Sequence, residues 1–103
     1  MSQRIIAIDQ STSSTKALLF DDQCRLLART NVDHQQYYPQ TGWVEHDAEE
    51  IYRNMVEAIH QLVGDEAKTS QHTYSIAITN QRETAVVWNK TTGHPIANAV
   101  VWQ

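Results

Sequence analysis

The chain has 103 residues, 41% of them hydrophobic and 19% charged, with a formal net charge of −4. This is an ordinary composition for one small globular unit. The acidic balance argues against a nucleic-acid partner, and no apolar run reaches the roughly 18 residues of a membrane-spanning helix.

The N-terminus, MSQRIIAID, enters a strand-like run directly, without the charged start and small-residue cleavage site of a secretion signal. Residues 4–9 (RIIAID) alternate weakly and are rich in isoleucine, which favours a strand. Residues 10–15 form a polar loop of small hydroxyl residues, and residues 16–20 (KALLF) a second strand. Asp21, Asp22 and Gln23 make a turn, because aspartate bonds nearby backbone. The single cysteine, Cys24, follows in this turn. It has no partner for an internal disulfide, which fits a reducing cytoplasm, and no neighbour that would activate it. Residues 25–33 (RLLARTNVD) read as a third strand with the polar interruptions of a sheet edge. The three strands predict an antiparallel meander. Residues 34–44 are a loop carrying Pro39 and Gly42.

Asp47 stands at a helix N-cap, with Glu50 in the capping-box position. Ile51, Met55, Ala58, Ile59 and Leu62 recur at helical spacing and give one apolar stripe, and Gly64 ends the helix. Residues 65–72 are a polar connection. Residues 74–79 form the next strand, parallel to the first because a helix crosses between them. Residues 84–88 and 96–102 are two more strands, joined as a hairpin by NKTTGHP with Gly93 and Pro95 as punctuation.

The order β-β-β-α-β-β-β makes an α/β unit with a mixed sheet. One helix cannot cover both faces of such a sheet, and parallel strands are normally buried on both sides. The last residues, NAVVWQ, read as an uncapped apolar strand. Both features predict a piece of a longer protein.

Parallel strands deliver binding groups at their carboxyl ends. Asp9 ends the first strand, where an unpaired carboxylate is costly to bury and a hydrated Mg²⁺ is a natural partner. Residues 11–15 offer hydroxyls and backbone N–H groups that can cradle phosphates, and Lys16 adds a positive charge. The same residues also suit a solvated hairpin turn. Gln81, Arg82 and Glu83 set an amide, a cation and an anion after another strand, a set able to read adjacent hydroxyls of one small molecule. A surface ion pair is the other reading. Trp102 suits either a ligand's carbon face or ordinary packing. The five histidines (His34, His46, His60, His72, His94) show no metal-ligand spacing.

DQSTSSTKALLFD (residues 9–21), GWVEHDAEEI (42–51) and ITNQRETAVVWNKTTGHPIANAVVWQ (78–103) together resemble the amino-terminal part of the FGGY carbohydrate kinases. These belong to the actin, Hsp70 and sugar-kinase superfamily. The third segment is the most specific, since NQRET and the W-N-K-T-T-G-x-P run resemble the glycerol-phosphorylating members. The resemblance implies an RNase H-like fold, with residues 1–103 the amino-terminal part of an incomplete first domain. It implies ATP and Mg²⁺ as cofactors, with Asp9 near the metal and Thr12, Ser13 and Ser14 at the phosphates. Lys16 stands where these kinases have arginine, exchanging a planar fork for a point charge. Gln81, Arg82 and Glu83 would meet a polyol's hydroxyls, and Trp102 its carbon backbone. Ser11 replaces the usual glycine, which predicts a tighter phosphate loop. No catalytic base falls in this chain; the family's aspartate lies downstream, so the chain alone is expected to be inactive.

The parent is thus expected to be a cytoplasmic, homo-oligomeric kinase that moves the ATP γ-phosphoryl group to glycerol. Another polyol or a ketose such as xylulose is the alternative substrate. An actin- or Hsp70-like ATPase switch is the alternative of another class, and a bare folding or interaction module a third. Arg82 and Glu83 discriminate, since a switch has no need of a hydroxyl-reading pair.

Overall fold

Three strands rise from the first third of the chain in the computed structural model, which describes residues 2–69, 71–81 and 84–101. They are β1 (Ser2–Gln10), β2 (Ser14–Asp21) and β3 (Leu26–Asp33), paired antiparallel as the expected meander. The β2–β3 turn is built on the buried Asp21 carboxylate. It accepts the backbone N–H groups of Gln23 and Arg25 at 2.9 Å each and the Arg25 guanidinium at 2.8 Å. These bonds, the Arg25 backbone N–H foremost, hold the carboxyl below its ordinary pKa. Cys24 takes a φ of 62° inside this turn, a left-handed conformation that a β-carbon disfavours. β3 is an edge strand, as its polar interruptions suggested, and carries a bulge: Leu19 faces Ala28 while Phe20 faces Leu26, leaving Leu27 extra.

Asp47 caps α1 (Ala48–Val63) by accepting the Glu49 N–H at 3.0 Å, satisfying one of the unpaired amides of the first turn. The capping box expected of Glu50 does not form. Its carboxylate accepts the Gln35 N–H at 2.7 Å instead, which ties the helix to the segment leaving β3. Beyond Gly64 the polar connection forms a 3₁₀ turn, Gly64–Thr69. It leads into β6 (His72–Thr79), which pairs parallel to β1 in register from Ser2–His72 to Asp9–Thr79. The sheet order is β3-β2-β1-β6. At the amino ends of β1 and β6, the Tyr74 hydroxyl donates to Glu66 at 2.6 Å and Arg4 pairs with the same carboxylate at 3.4 Å. Burial and the Glu66 carboxylate push the Tyr74 phenol up to about 12.

Strand alternation sorts the side chains. Ile6 and Ile8 of β1 and Ala17 and Leu19 of β2 face α1 and pack on Ala58 and Leu62. Each buried Ile or Leu stabilises the fold by about 1.5–3 kcal/mol. On β6 the same face carries Ile76 and Ile78, register partners of Ile6 and Ile8. They are 54% and 59% exposed, because α1 lies over β2 and β3.

β4 (Gln36–Tyr37), β5 (Glu45–His46) and β7 (Ala99–Val100) form a second, antiparallel sheet in the order β4-β5-β7. The residue 34–44 loop thus contains β4, and two-residue strands are too short to leave a period in the sequence. The strands expected at 84–88 and 96–102 are corrected to a hairpin held by single bridges, Ala85–Val100 and Trp88–Pro95. Pro95 has no N–H to extend that ladder. Ala99 and Val100 take β5 as their strand partner. The hairpin turn itself is as expected: the Asn89 side chain accepts the N–H groups of Thr91 and Thr92 at 2.8 and 3.0 Å, and Gly93 supplies a φ of 78°.

Candidate functional site

The carboxyl ends of β1 and β6 lie side by side because the strands are parallel and in register. Asp9 is thereby the partner of Thr79 on β6 and of Lys16 on β2. All three are exposed and share the sheet face opposite α1. The Thr79 hydroxyl donates to Asp9 Oδ1 at 3.3 Å and so orients the carboxylate.

The loop of residues 11–13 joins β1 to β2 at this same end. The Ser11 backbone N–H and hydroxyl both donate to the Ser14 carbonyl, at 3.0 and 2.9 Å. Among the described residues Cys24 is the only non-glycine with positive φ, so Ser11 sits in ordinary backbone. Serine in place of glycine therefore adds a loop-closing bond and no strain. Ser13 is exposed, Thr12 half-buried, and Ser14 buried at 4% exposure, which turns its hydroxyl away from solvent.

On the α1 side, the apolar core gives way to Gln10, Thr15, His34 and Asn54. The His34 backbone N–H donates to the Ser13 carbonyl at 2.9 Å. Its ring Nε2 lies 2.9 Å from the Gln10 amide and 3.2 Å from Thr15 Oγ1, and its Nδ1 lies 3.0 Å from Asn54 Nδ2. Asn54 Nδ2 also donates to the Asp33 carbonyl at 3.1 Å, which identifies that end of the amide as nitrogen. Nδ1 of His34 therefore accepts, and Nε2 carries the proton. Nε2–H donates toward Thr15 Oγ1; the Gln10 amide, placed with Nε2 toward the ring, accepts from it only after a half-turn that exchanges its two similar ends.

His46, fully buried, sets its ring 5.9 Å from that of His34, and its Nδ1 meets Gln81 Nε2 at 3.4 Å. Burial pushes both imidazoles below their ordinary pKa. The His46 ring lowers His34 further, while Glu50 opposes the shift in both. The Gln81 side chain is thus fastened inward just ahead of residues 82 and 83.

Of the residues singled out from sequence, Asp9, Thr12, Ser13, Ser14, Lys16 and Gln81 converge on one end of the sheet. Arg82, Glu83 and Trp102 lie outside the described residues. Sequence reasoning missed His34 and His46, which it took as scattered. The one available signal was that His46 directly precedes the N-cap Asp47, a position that often packs inward.

A family model described as "FGGY family of carbohydrate kinases, N-terminal domain" matches residues 4–103. Glycerol kinase 1 of Thermotoga maritima is 50% identical over 99 residues, covering 96% of this chain and 20% of that protein. The glycerol kinase of Pseudarthrobacter chlorophenolicus is 48% identical over 103 residues, covering 100% of this chain and 20% of that protein. The crystal structure of Plasmodium falciparum glycerol kinase with ADP is similar at a TM-score of 0.83 and 37% identity, covering 98% of this chain and 20% of that one. A xylulose-type kinase from Brucella ovis has a TM-score of 0.86 at 21% identity, covering 96% of this chain and 20% of that one, a likeness of fold alone. The RNase H-like sugar-kinase fold expected from sequence is the fold found. The chain spans about a fifth of the length of the curated relatives it matches.

Proposed function

The chain belongs to the FGGY family of carbohydrate kinases, and from this we propose that it is the amino-terminal part of the first domain of an ATP-dependent glycerol kinase. The reaction is ATP + glycerol to ADP + glycerol 3-phosphate. The observation that carries this reading is the juxtaposition of the β1 and β6 ends. Asp9, the hydroxyl loop and Lys16 stand on one side, and Gln81, just past the end of β6, on the other.

In this reading Thr12, Ser13 and Lys16 meet the ATP phosphates, through hydroxyls, loop N–H groups and one ammonium. The buried Ser14 acts through its carbonyl, which closes the loop. Asp9 fits Mg²⁺: it is a hard oxygen donor, exposed at a strand end and oriented by Thr79. A bound Mg²⁺ would neutralise charge on the phosphates, so that transfer rests on positioning and electrostatics. Arg82 and Glu83 bind the polyol hydroxyls with Gln81 fixed beside them, and Trp102 packs on the polyol carbons. No general base is assigned within these residues.

Glycerol is favoured over xylulose because the relatives near half identity are named glycerol kinases, whereas the likeness to the xylulose-type kinase is confined to fold. A cytoplasmic setting is supported by the exposed free thiol of Cys24, and an assembly of identical subunits is part of the same proposal. No helix among the described residues is long and apolar enough to cross a membrane.

The test is ADP release by the whole protein with glycerol, xylulose and gluconate in turn. The proposal expects kcat/KM for glycerol to exceed the others by orders of magnitude. ADP release that ignores every polyol would favour the ATPase switch instead.

A further inference from the structure

We propose that His34 is a positioning residue for the loop of residues 11–14, holding it from beneath in the shape that meets the nucleotide's phosphates. This rests on the functional reading above and adds to it a residue that touches no substrate.

Three contacts carry the inference. Backbone N–H of His34 holds the Ser13 carbonyl at 2.9 Å, inside the loop. Ring Nε2 lies 2.9 Å from the side-chain amide of Gln10, which precedes the loop, and 3.2 Å from Oγ1 of Thr15, which follows it. One side chain thus spans both limbs of the β1–β2 connection. The ring cannot turn over freely, because Asn54 of α1 donates to Nδ1 at 3.0 Å while anchored to the Asp33 carbonyl. At 8% exposure His34 is closed to solvent, so it is not itself a phosphate ligand. Its charged surroundings are Asp33 on β3, the ring of His46 on β5 and Glu50 on α1. A loop cut loose from this support keeps its hydroxyls but samples shapes that do not converge on a phosphate, which weakens binding without touching the polyol side.

The experiment uses the whole kinase. ¹⁵N NMR of the His34 ring is expected to show protonated Nε2 and bare Nδ1 at neutral pH. His34→Phe keeps the ring's bulk but deletes its two nitrogens, and is expected to raise KM for ATP about tenfold or more. The KM for glycerol should stay within about twofold, since the functional reading gives the polyol to Arg82 and Glu83 and not to this loop. His34→Gln restores a donor at similar reach and should recover most of the loss. Should His34→Phe fail to fold, Asn54→Ala frees the ring to turn and should raise the ATP KM about threefold. A ring protonated at Nδ1, or a folded His34→Phe enzyme with unchanged KM for ATP, or equal rises in both KM values, would overturn the proposal. A wild-type enzyme that transfers no phosphate from ATP would overturn the functional reading, and this role with it, while the ring nitrogens alone would still decide the tautomer.

Discussion

His34 and His46 place their imidazoles 5.9 Å apart, tilted by 47°, in the buried layer between the loop of residues 11–13 and Gln81. Neither ring has room for charge there. Burial is the largest cause of both lowered pKa values, and each lies below the ordinary 6.5. A group whose folded pKa is depressed binds more protons when unfolded. Stability is then full above pH 6.5 and falls as pH drops below it toward the folded values. Thermal unfolding followed from neutral pH down through this window should show the loss. A His34→Gln, His46→Gln variant should show a flatter profile over the same range. An acid limb of equal slope in both proteins would mean that other groups govern it.

Asp9→Asn in the whole protein is expected to lower kcat on the order of a hundredfold or more, an effect of several kcal/mol in the transition state. The amide keeps the bond from Thr79 but loses the negative charge that Mg²⁺ needs. Glycerol affinity should change little, because the functional reading gives the polyol to Arg82 and Glu83 and not to Asp9. Steady-state kinetics with near-wild-type kcat would remove Asp9 from the metal's surroundings.

Arg82→Ala and Glu83→Ala should each raise KM for glycerol by roughly ten- to a hundredfold, the loss of charge-assisted bonds of about 1.5–3 kcal/mol. ATP affinity should stay nearly constant in both. Should it fall as far as glycerol affinity, the pair belongs to the nucleotide side or to general stability. Gln81→Ala offers a contrast: its amide is turned toward buried His46, so it should lower stability as well as polyol affinity.

The larger sheet was legible because its strands carry their own signals. Ile6 and Ile8 alternate with partly covered residues, α1 shows a full apolar stripe, and the crossover it makes forces β6 parallel to β1. The second sheet was not legible. β4 and β5 are two residues each, and their pairing depends on β7 far along the chain. The site was half readable for a similar reason. Asp9 and the hydroxyl loop announce themselves by residue type at a strand end. His34 and His46 gain their meaning from neighbours on β1, β2, α1 and the end of β6, which no local pattern encodes. Glu50 shows the limit of local rules, since the capping box lost to a tertiary bond with Gln35.

Cys24→Gly should stabilise the fold by about 0.5–1 kcal/mol. The cysteine sits at φ 62°, where an L-residue is disfavoured and glycine is at ease. Part of that relief is offset by the greater freedom of glycine in the unfolded chain. The side chain is exposed, so little packing is lost. Denaturant midpoints of the two proteins, compared at equal slope, measure the difference. A lower midpoint for the glycine variant would mean that the Asp21-centred turn already absorbs the strain.

Residues 1–103 on their own should self-associate at micromolar concentration. Ile76 and Ile78 are 54% and 59% exposed on the α1 side of β6, where the helix does not reach. Val86, Val87, Trp88, Ile96 and Val100 add further exposed apolar surface on the carboxyl-terminal hairpin and β7. Beyond Ile76 and Ile78, β6 is also an open sheet edge whose backbone can pair with another chain. Patches of this kind drive association because burying apolar area releases about 25 cal/mol per Å². Light scattering should find species larger than a monomer, with binding of a hydrophobic dye. Replacing Ile76 and Ile78 with lysine should cut both signals, since charge on a bare edge opposes pairing and neither residue supports the core under α1. A dye-negative monomer at high micromolar concentration would show that this surface is tolerated in water and that the sheet needs no cover on β6.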